Sequence, residues 1–342
     1  MSFEIYTPDF SNRHEITHAA SIRTSVYYND IGKISIILPI DDYNINAVQI
    51  GSLILDKTRW ITFFVASVKI ETASNQIIIN GYTANFLLNK RVVETESKIE
   101  NIESGIYQMV SDNLRGLTTV EVSTAIGLSE TAEEVPLFGG QLLDSIIPVL
   151  SMGDLGHRMV WDHKRKRHTF EIYKGRDLTK GVYAAVFSYE RGTAEDLVIS
   201  NDISMFKNVF YISGKTTSDK TIVEIVGDVT GEERFEKWLS EGIVQEENET
   251  EEQMRQRMIS KAKELAVDYM QRQSFSVSVD PNDLGDKYDL GDLVACVSTK
   301  FGVQFNKRIT GVTYSLDSTG SKTSIVLGEP SLTVLKEMKL NG

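Results

Sequence analysis

The feature that most constrains this chain is a series of strand patterns that occurs twice, once near each end. Each copy contains a glycine turn that leads into an apolar strand, Ile50-Gly51-Ser52-Leu53-Ile54 in the first and Leu290-Gly291-Asp292-Leu293-Val294 in the second. A strand with alternating apolar residues precedes each turn, at residues 33–38 and 274–279. The repeat predicts two similar β-modules in one polypeptide, which suggests an assembly component rather than a lone catalytic pocket.

The strands that follow each turn also correspond. Residues 65–68, Val-Ala-Ser-Val, match residues 309–312, Ile-Thr-Gly-Val, and a last strand at 77–81 matches 325–328. Four glycines of the two copies are predicted to have structural roles: Gly51, Gly81, Gly291 and Gly328. We assign no catalytic, cofactor-binding or metal-binding residue.

The remaining patterns predict an α+β, β-dominated fold with two tube-like β-barrel or sandwich modules. The predicted segments are a first module at 1–90, an α+β segment at 91–192, a second module at 193–217 and 272–332, an α+β insertion at 218–271 and a C-terminal tail at 333–342. The strand Asn208–Gly214 is predicted to start the second module. A hairpin is predicted from Met159–Trp161 and Thr169–Tyr173.

Four helices are predicted from caps and apolar spacing. Ser97–Glu100 matches a capping box before a helix that ends near Gly116, and residues 142–150 form a short helix that Pro148 limits. Thr230–Glu233 caps a helix that buries Phe235, Trp238 and Leu239 and stops at Gly242. Thr250–Gln253 caps another, with Met254, Met258, Ala262, Leu265 and Tyr269 on its inner face.

Composition excludes several classes of protein. The 342 residues are 41% hydrophobic and 25% charged, as in an ordinary soluble globular protein, and the net charge of −12 disfavours general binding to nucleic acid or anionic membrane. The start, Met1–Ile5, lacks the features of a signal peptide, and no apolar stretch approaches the about 20 residues that span a bilayer. The single cysteine, Cys296, lies in an apolar run and is predicted to be buried and inert.

His14-Glu15-Ile16-Thr17-His18 matches the H-E-x-x-H pattern of zinc proteases. That chemistry needs a helix, which brings both imidazoles to one face about 6 Å apart. Here the motif runs into an alternating, β-branched segment, and on a strand the two histidines lie about 13 Å apart. A zinc metalloprotease therefore stays a remote alternative that depends on this motif alone.

Two charged runs have simpler explanations than binding sites. His163–His168 could hold phosphate, but a solvated hairpin tip fits better in an acidic chain without interleaved aromatic residues. Aspartates recur at every third position from 280 to 292, namely Asp280, Asp283, Asp286, Asp289 and Asp292. Their spacing does not fit a calcium-binding EF-hand and predicts a turn-rich loop. The sequence also lacks G-x-S-x-G, P-loop and dinucleotide-binding motifs, so we predict no enzyme and no cofactor.

Several segments along the chain resemble those of a known family. They are Trp60–Val65, Ile79–Arg91, Phe170–Leu178, Val186–Ser188, Lys207–Gly214, Tyr288–Val294 and Arg308–Val312. In this order they resemble the tail-hub (baseplate hub) proteins of long-tailed phages, including the N-terminal part of siphophage tail-associated lysins. Residues 172–177, Ile-Tyr-Lys-Gly-Arg-Asp, are similar to the IYxGRD segment of that family.

The resemblance implies a structural hub at the tail tip or baseplate of a phage, a prophage or a phage-tail-like particle, a virion tail protein made in the bacterial cytoplasm. Such hubs are homotrimers, and three chains with two modules each give a ring of six. It implies stacking on the six-fold tail tube or a distal tail protein ring, and a three-fold surface for a tail fibre, spike or lytic protein. It implies no sequence-specific nucleic acid, no membrane segment and no lytic region within these residues.

An alternative function is a carbohydrate- or receptor-binding module of the tail tip. Exposed aromatic residues would then form the binding platforms, with Trp60, Trp161 and Trp238 as candidates. Because Trp60 and Trp161 lie in strand-like apolar runs and Trp238 on an apolar helix face, core positions are predicted for all three. Solution mass, glycan binding, and bound zinc with peptidase activity separate the three functions.

Overall fold

The computed structural model describes residues 2–266, 269, 272–280, 282–300 and 302–328. The chain forms two compact units, a large one of residues 1–199 and 275–342 and a small one of residues 200–274. Strands dominate, so the predicted β-dominated α+β class is confirmed. The predicted tail at 333–342 lies outside the described residues.

The first part of the large unit is an antiparallel sheet. Its elements are β1 (Phe3–Tyr6), β2 (Arg13–Ile16), β3 (Ser21–Tyr27), β4 (Lys33–Pro39), α1 (Asp42–Ala47), β5 (Leu53–Asp56), β6 (Ile61–Glu71), β7 (Gln76–Thr83) and a 3-10 helix (Ala84–Lys90). The strand order is β3-β4-β7-β6-β5-β1-β2. The period-2 pattern determines the buried face, since Ile22 and Val26 of β3 and Ile34, Ile36 and Leu38 of β4 enter one core.

The next part packs two helices against short strands. Its elements are β8 (Ser97–Asn101), α2 (Ile102–Asn113), β9 (Val120–Val122), β10 (Thr131–Leu137), α3 (Leu142–Met152), β11 (Gly156–Asp162) and β12 (Arg167–Tyr173). The predicted hairpin is confirmed, because β11 and β12 pair in antiparallel register from Gly156↔Tyr173 to Asp162↔Arg167.

Both helix boundaries in this part differ from the prediction. The capping box is wrong: Ser97–Asn101 pairs with β10, and the Asn101 side chain caps α2 by accepting from the Ser104 backbone N–H at 2.9 Å. The limit at Pro148 is also wrong, since α3 continues to Met152. A helix tolerates the lost backbone bond here because Val149 and Leu150, beyond the proline, are fully buried.

After β13 (Val186–Phe187) and β14 (Glu195–Asp202) the chain enters the small unit. Its elements are β15 (Val209–Lys215), β16 (Thr221–Val226), a 3-10 helix (Gly231–Glu233), β17 (Glu236–Val244) and α4 (Glu251–Ala266). The sheet order is β16-β15-β17, and α4 covers one face with Met254, Met258 and Ala262. The predicted cap of α4 is confirmed, since Thr250 and Gln253 each accept a hydrogen bond from the other's backbone N–H.

Two predictions in this unit are wrong. The helix after Thr230 is the strand β17, which pairs in parallel with β15; Trp238 is exposed and only Leu239 is buried. The strand at 208–214 does not start the second module, because β15 pairs only with β16 and β17 among the described strands. Since the chain divides into only two units, the other bounds of the predicted segments are not tested and stay a prediction.

The chain returns to the large unit with β18 (Arg272–Val279), β19 (Leu293–Ser298), β20 (Val303–Asp317) and β21 (Gly320–Gly328). In the part of the chain that the structure describes, the large sheet has thirteen strands, and its main path runs β14-β18-β21-β20-β3-β4-β7-β6-β5-β1-β2. β19 pairs with β20 and with β13. The aspartate series lies in the turns before β19, as predicted. No described helix has the length and apolar character needed to cross a bilayer.

Candidate assembly interface

One long strand, β20, joins the early and late parts of the large sheet. Its first half pairs with β19, from Ser298↔Val303 to Leu293↔Arg308. Its second half pairs with β3, from Gly311↔Tyr27 to Leu316↔Ile22. Where β20 extends beyond β19, its backbone donors and acceptors on that side are therefore paired with an early strand of the same chain.

The early strand β6 has the same two-part form but lacks the second partner. Its first half pairs with β5 up to Phe64, and its other side pairs with β7 along its length. From Ser67 to Glu71 the edge opposite β7 has no strand partner among the described residues. Ile70 on this edge is 54% exposed, and Lys69 and Glu71 form an ion pair at 2.6 Å. An unpaired edge of this kind is a template for another strand.

A second edge lies at the β14 end of the sheet path. β14 pairs with β18 on one side and with no other described strand. Val198, near the middle of β14, is 59% exposed. Among the open edges of the described sheet, those on β6 and β14 lie far apart in the strand order, and each can accept a strand.

The turns before β5 and β19 have the same pattern of hydrogen bonds. Gly51 N–H donates to Val65 O at 2.9 Å and Val65 N–H donates to Ser52 O at 2.9 Å. In the later turn Gly291 N–H donates to Ile309 O at 2.8 Å and Ile309 N–H donates to Asp292 O at 2.8 Å. A bulge follows each bonded strand residue, after Val65 in β6 and after Ile309 in β20.

The predicted glycines have two physical roles. Gly51, Gly291 and Gly328 have φ values of 87°, 94° and 81°, in the left-handed region that favours glycine. Gly81 is required for close approach instead, since a Cβ there would lie 2.3 Å from Phe64 O. Gly81 pairs with Val65, whereas Leu327, and not Gly328, pairs with Ile309.

The segment at 172–177 docks onto the later turn. A Cβ on Gly175 would lie 1.8 Å from Gly291 O, so only glycine allows this approach. Asp292 is buried, and its carboxylate accepts hydrogen bonds from the Arg176 backbone N–H at 2.8 Å and from Arg176 Nη2 at 2.6 Å. Leu293 N–H then donates to Arg176 O at 2.8 Å. This bidentate clamp fixes the IYKGRD segment against the entry to β19.

Tyr28 connects three parts of the large unit and was not identified from the sequence. Its backbone N–H donates to Thr310 O at 3.0 Å, and its hydroxyl lies 3.1 Å from the carbonyl oxygens of both Asp154 and Tyr173. Burial raises the pKa of Tyr28 to about 12. The Arg308 guanidinium lies over the Tyr28 ring and pairs with Asp154. In the sequence, the only sign of this residue is its position at the end of an alternating strand pattern.

The predicted chemical motifs do not converge on a reactive site. His14 lies on β2 and His18 lies beyond its end, so the H-E-x-x-H residues are not helical. In the basic run, Arg165 pairs with Glu121 and Asp162, and His168 is buried on β12, not at the tip. Among the described residues no group of three or more His, Cys, Asp or Glu side chains could hold a metal. Cys296 is buried as predicted, and burial raises its pKa to about 12.

The prediction that all three tryptophans are core residues is wrong for two of them. Trp161 is 6% exposed and packs with Tyr6 and Phe10, as predicted. Trp60 is 58% exposed, in the turn between β5 and β6, and Trp238 is 53% exposed on the open face of the small-unit sheet.

Comparisons with known proteins identify relatives of this arrangement. The sequence profile of the family described as Siphovirus ReqiPepy6 Gp37-like protein matches residues 2–329. A tail protein from Neisseria meningitidis MC58 superposes with a TM-score of 0.57 at 11% identity, covering 97% of each chain. The 43 kDa tail protein of prophage MuSo2 from Shewanella oneidensis gives a TM-score of 0.54 at 14% identity, covering 96% of this chain and 97% of its own.

The prophage tail protein gp18 from Listeria monocytogenes EGD-e is similar over 100% of both chains, with a TM-score of 0.52 and 13% identity. At these identities the solved structures show a shared fold. No curated protein sequence matches the chain.

Proposed function

Since this chain belongs to the family of siphovirus ReqiPepy6 Gp37-like proteins, phage tail proteins, we propose that it is a structural hub of the virion tail. In this proposal three chains close into a ring that joins the six-fold tail tube to the three-fold tip. The protein has no catalytic role. Its partners are the tail tube or a distal tail protein ring above, and a fibre, spike or lytic protein below.

The supporting observation is that the early and late parts of the large sheet have the same strand order. β3-β4-β7-β6-β5-β1 corresponds to β14-β18-β21-β20-β19-β13, and the corresponding strands also follow the same order along the chain. The matched turns and bulges support this correspondence at the level of single hydrogen bonds. One difference is that β1 pairs antiparallel with β5, whereas β13 pairs parallel with β19. We therefore propose two tube-like modules derived from one repeat.

The correspondence assigns a role to the two unpaired edges. Within the chain, β20 of the late module pairs with β3 of the early module. The equivalent contact for the early module joins β6 to β14, and in one chain these strands lie at separate edges. Pairing the β6 edge of one copy with β14 of the next repeats the same contact between chains. Three copies then give six modules with alternating internal and intermolecular joints.

The test is an engineered disulfide between the proposed partner edges. Lys69→Cys on β6 and Val198→Cys on β14 place thiols on strands that should be adjacent, where opposite Cα atoms lie about 4.5–5.5 Å apart. Because the side-chain register is open, neighbouring positions 67 and 71 on β6 are tested in the same way. Mild oxidation at high protein concentration should give covalent dimers and trimers that end at a closed trimer on a denaturing gel.

The matched control places the first thiol on another exposed edge. Arg13→Cys on β2, combined with Val198→Cys, should give no ladder, because β2 has no equivalent in the late module. Each variant with one added cysteine has a single exposed thiol beside the buried Cys296 and can give at most a dimer. Equal crosslinking from β2, or a ladder that extends well past three chains, would contradict the proposed joint.

A further inference from the structure

A cavity of about 570 Å³ lies in the large unit, outside the proposed joints. Three segments form most of its walls: residues 58–62, in the turn before β6 and at the start of that strand, residues 157–161 of β11, and the loop at 284–290 before β19. A concave site of this size, with apolar walls and a few polar groups, is in the range of small-molecule sites.

The walls of this cavity are rich in aromatic rings. Trp60 and Trp161 line it with Tyr27 and Tyr173. Trp60 is largely exposed and has a φ of 57°, a backbone conformation in which glycine is favoured and a bulky residue is an outlier. The turn therefore presents a large ring at a position where its backbone alone would select glycine.

The charged groups of the cavity are neutralised by their own neighbours. Arg59 donates through Nε to Asp56 at 2.9 Å, and Arg158 pairs with Glu171 at 2.8 Å. Asp289 accepts from the Leu290 backbone N–H at 2.7 Å, and burial raises the pKa of its carboxyl. With no excess of positive charge, the cavity disfavours phosphates and nucleotides and favours an uncharged ligand.

Three buried donors on lining residues have no hydrogen-bond partner among the described residues: Nη1 of Arg59, Nε2 of His157 and Nε1 of Trp161. The Asn85 amide nitrogen donates to Nδ1 of His157 at 2.5 Å, so the ring hydrogen lies on Nε2. Buried donors without acceptors are rare in folded proteins. Because these atoms are themselves buried, a ligand could supply oxygen acceptors to them only by shifting the side chains of the wall.

We propose that this cavity binds an uncharged sugar of one or two rings, with its apolar face against Trp60 and its hydroxyl groups toward Arg59, Arg158 and Asp289. Aromatic rings bind the apolar faces of such ligands, and guanidinium and carboxyl groups supply donors and acceptors for the hydroxyls. The proposal does not depend on the hub function, because every lining residue belongs to the large unit of a single chain.

The test is a titration of the full chain with D-glucose, D-galactose, L-rhamnose and N-acetyl-D-glucosamine, followed by saturation-transfer NMR and calorimetry. At least one sugar should bind saturably, with a dissociation constant of about 1 mM, the value that ordinary ligand efficiency gives for about 12 heavy atoms. Inorganic phosphate is the charged probe and should bind more weakly than that sugar.

Two variants separate binding from folding. Trp60→Gly removes the ring and relieves the left-handed backbone, so the melting temperature should hold or rise while affinity falls at least about tenfold. Trp238→Ala removes the other exposed tryptophan and should change affinity by less than about twofold. The proposal is overturned if no sugar binds at concentrations up to about ten times the expected dissociation constant. It is also overturned if phosphate binds more tightly than every sugar, or if Trp238→Ala and not Trp60→Gly abolishes binding.

Discussion

Substituting Gly175 by alanine tests how the IYKGRD segment is held against the later turn. The added Cβ would lie 1.8 Å from Gly291 O and 2.1 Å from Gly291 C, both backbone atoms that cannot rotate away. Relief requires the segment to withdraw by more than 1 Å, to about 3.0–3.4 Å, the shortest separation that real Cβ atoms show. Overpacking of this kind costs about 1–3 kcal/mol.

Withdrawal also stretches the adjacent hydrogen bonds. The Arg176 N–H bond to Asp292 and the Leu293 N–H bond to Arg176 O are both 2.8 Å and flank the clash. At about 1 kcal/mol for each bond, the total loss is about 3–5 kcal/mol. For a unit of this size that corresponds to a fall in melting temperature of about 10 °C.

Differential scanning calorimetry measures this directly, with the transitions of the two units followed separately. Gly242→Ala is the matched control, since a Cβ there meets nothing within 4 Å. Only the large-unit transition should fall in Gly175→Ala. If its stability lies within about 0.5 kcal/mol of the wild type, the size of an ordinary surface change, the docking described for this segment is wrong.

Three further predictions concern single groups. Burial lowers the pKa of His157 and His168 to about 4, below the value in the unfolded chain, so their contribution to stability is complete above about pH 6.5 and is lost as the pH falls toward 4. The free energy of unfolding measured in urea should therefore be lower at pH 5 than at pH 7, by about 2 kcal/mol for each imidazole. Equal free energies at the two pH values would refute this. Asp292→Asn weakens the clamp on Arg176 and should cost about 2 kcal/mol by thermal unfolding, whereas an unchanged melting temperature would show that the ion pair is dispensable. Burial raises the pKa of Cys296 to about 12, so a thiol reagent should label it only after denaturation; rapid labelling of native protein would contradict its burial.

Most strands of the large unit could be predicted because their burial follows local periodicity. The turns around Gly51 and Gly291, the hairpin of β11 and β12, and the Thr250 cap of α4 all depend on residues close in sequence. These signals fix the number and order of most elements in the large unit.

The failures depend on partners far along the chain. The residues of β17 have apolar spacing that fits a short helix, and only parallel pairing with β15 makes them a strand. The segment at 97–101 has a helical cap pattern, but pairing with β10 overrides it. The exposure of Trp60 follows from a left-handed turn position that no periodic pattern marks.

The cavity was not predictable for the same reason. Its walls come from three segments separated by about a hundred residues or more each, and only the tertiary fold brings Arg59, His157 and Asp289 together. The unpaired edges of β6 and β14 were likewise invisible in the sequence, since an edge is defined by the strand that is missing beside it.

The number of copies of this protein at one level of an assembled tail tests the central claim most directly. Single-particle electron microscopy of a particle that carries it gives that number without symmetry assumptions. We expect three chains, six similar β-modules around one axis, and β6 of each chain beside β14 of the next. Six chains in the ring, or three chains whose β6 and β14 edges are not in contact, would contradict it.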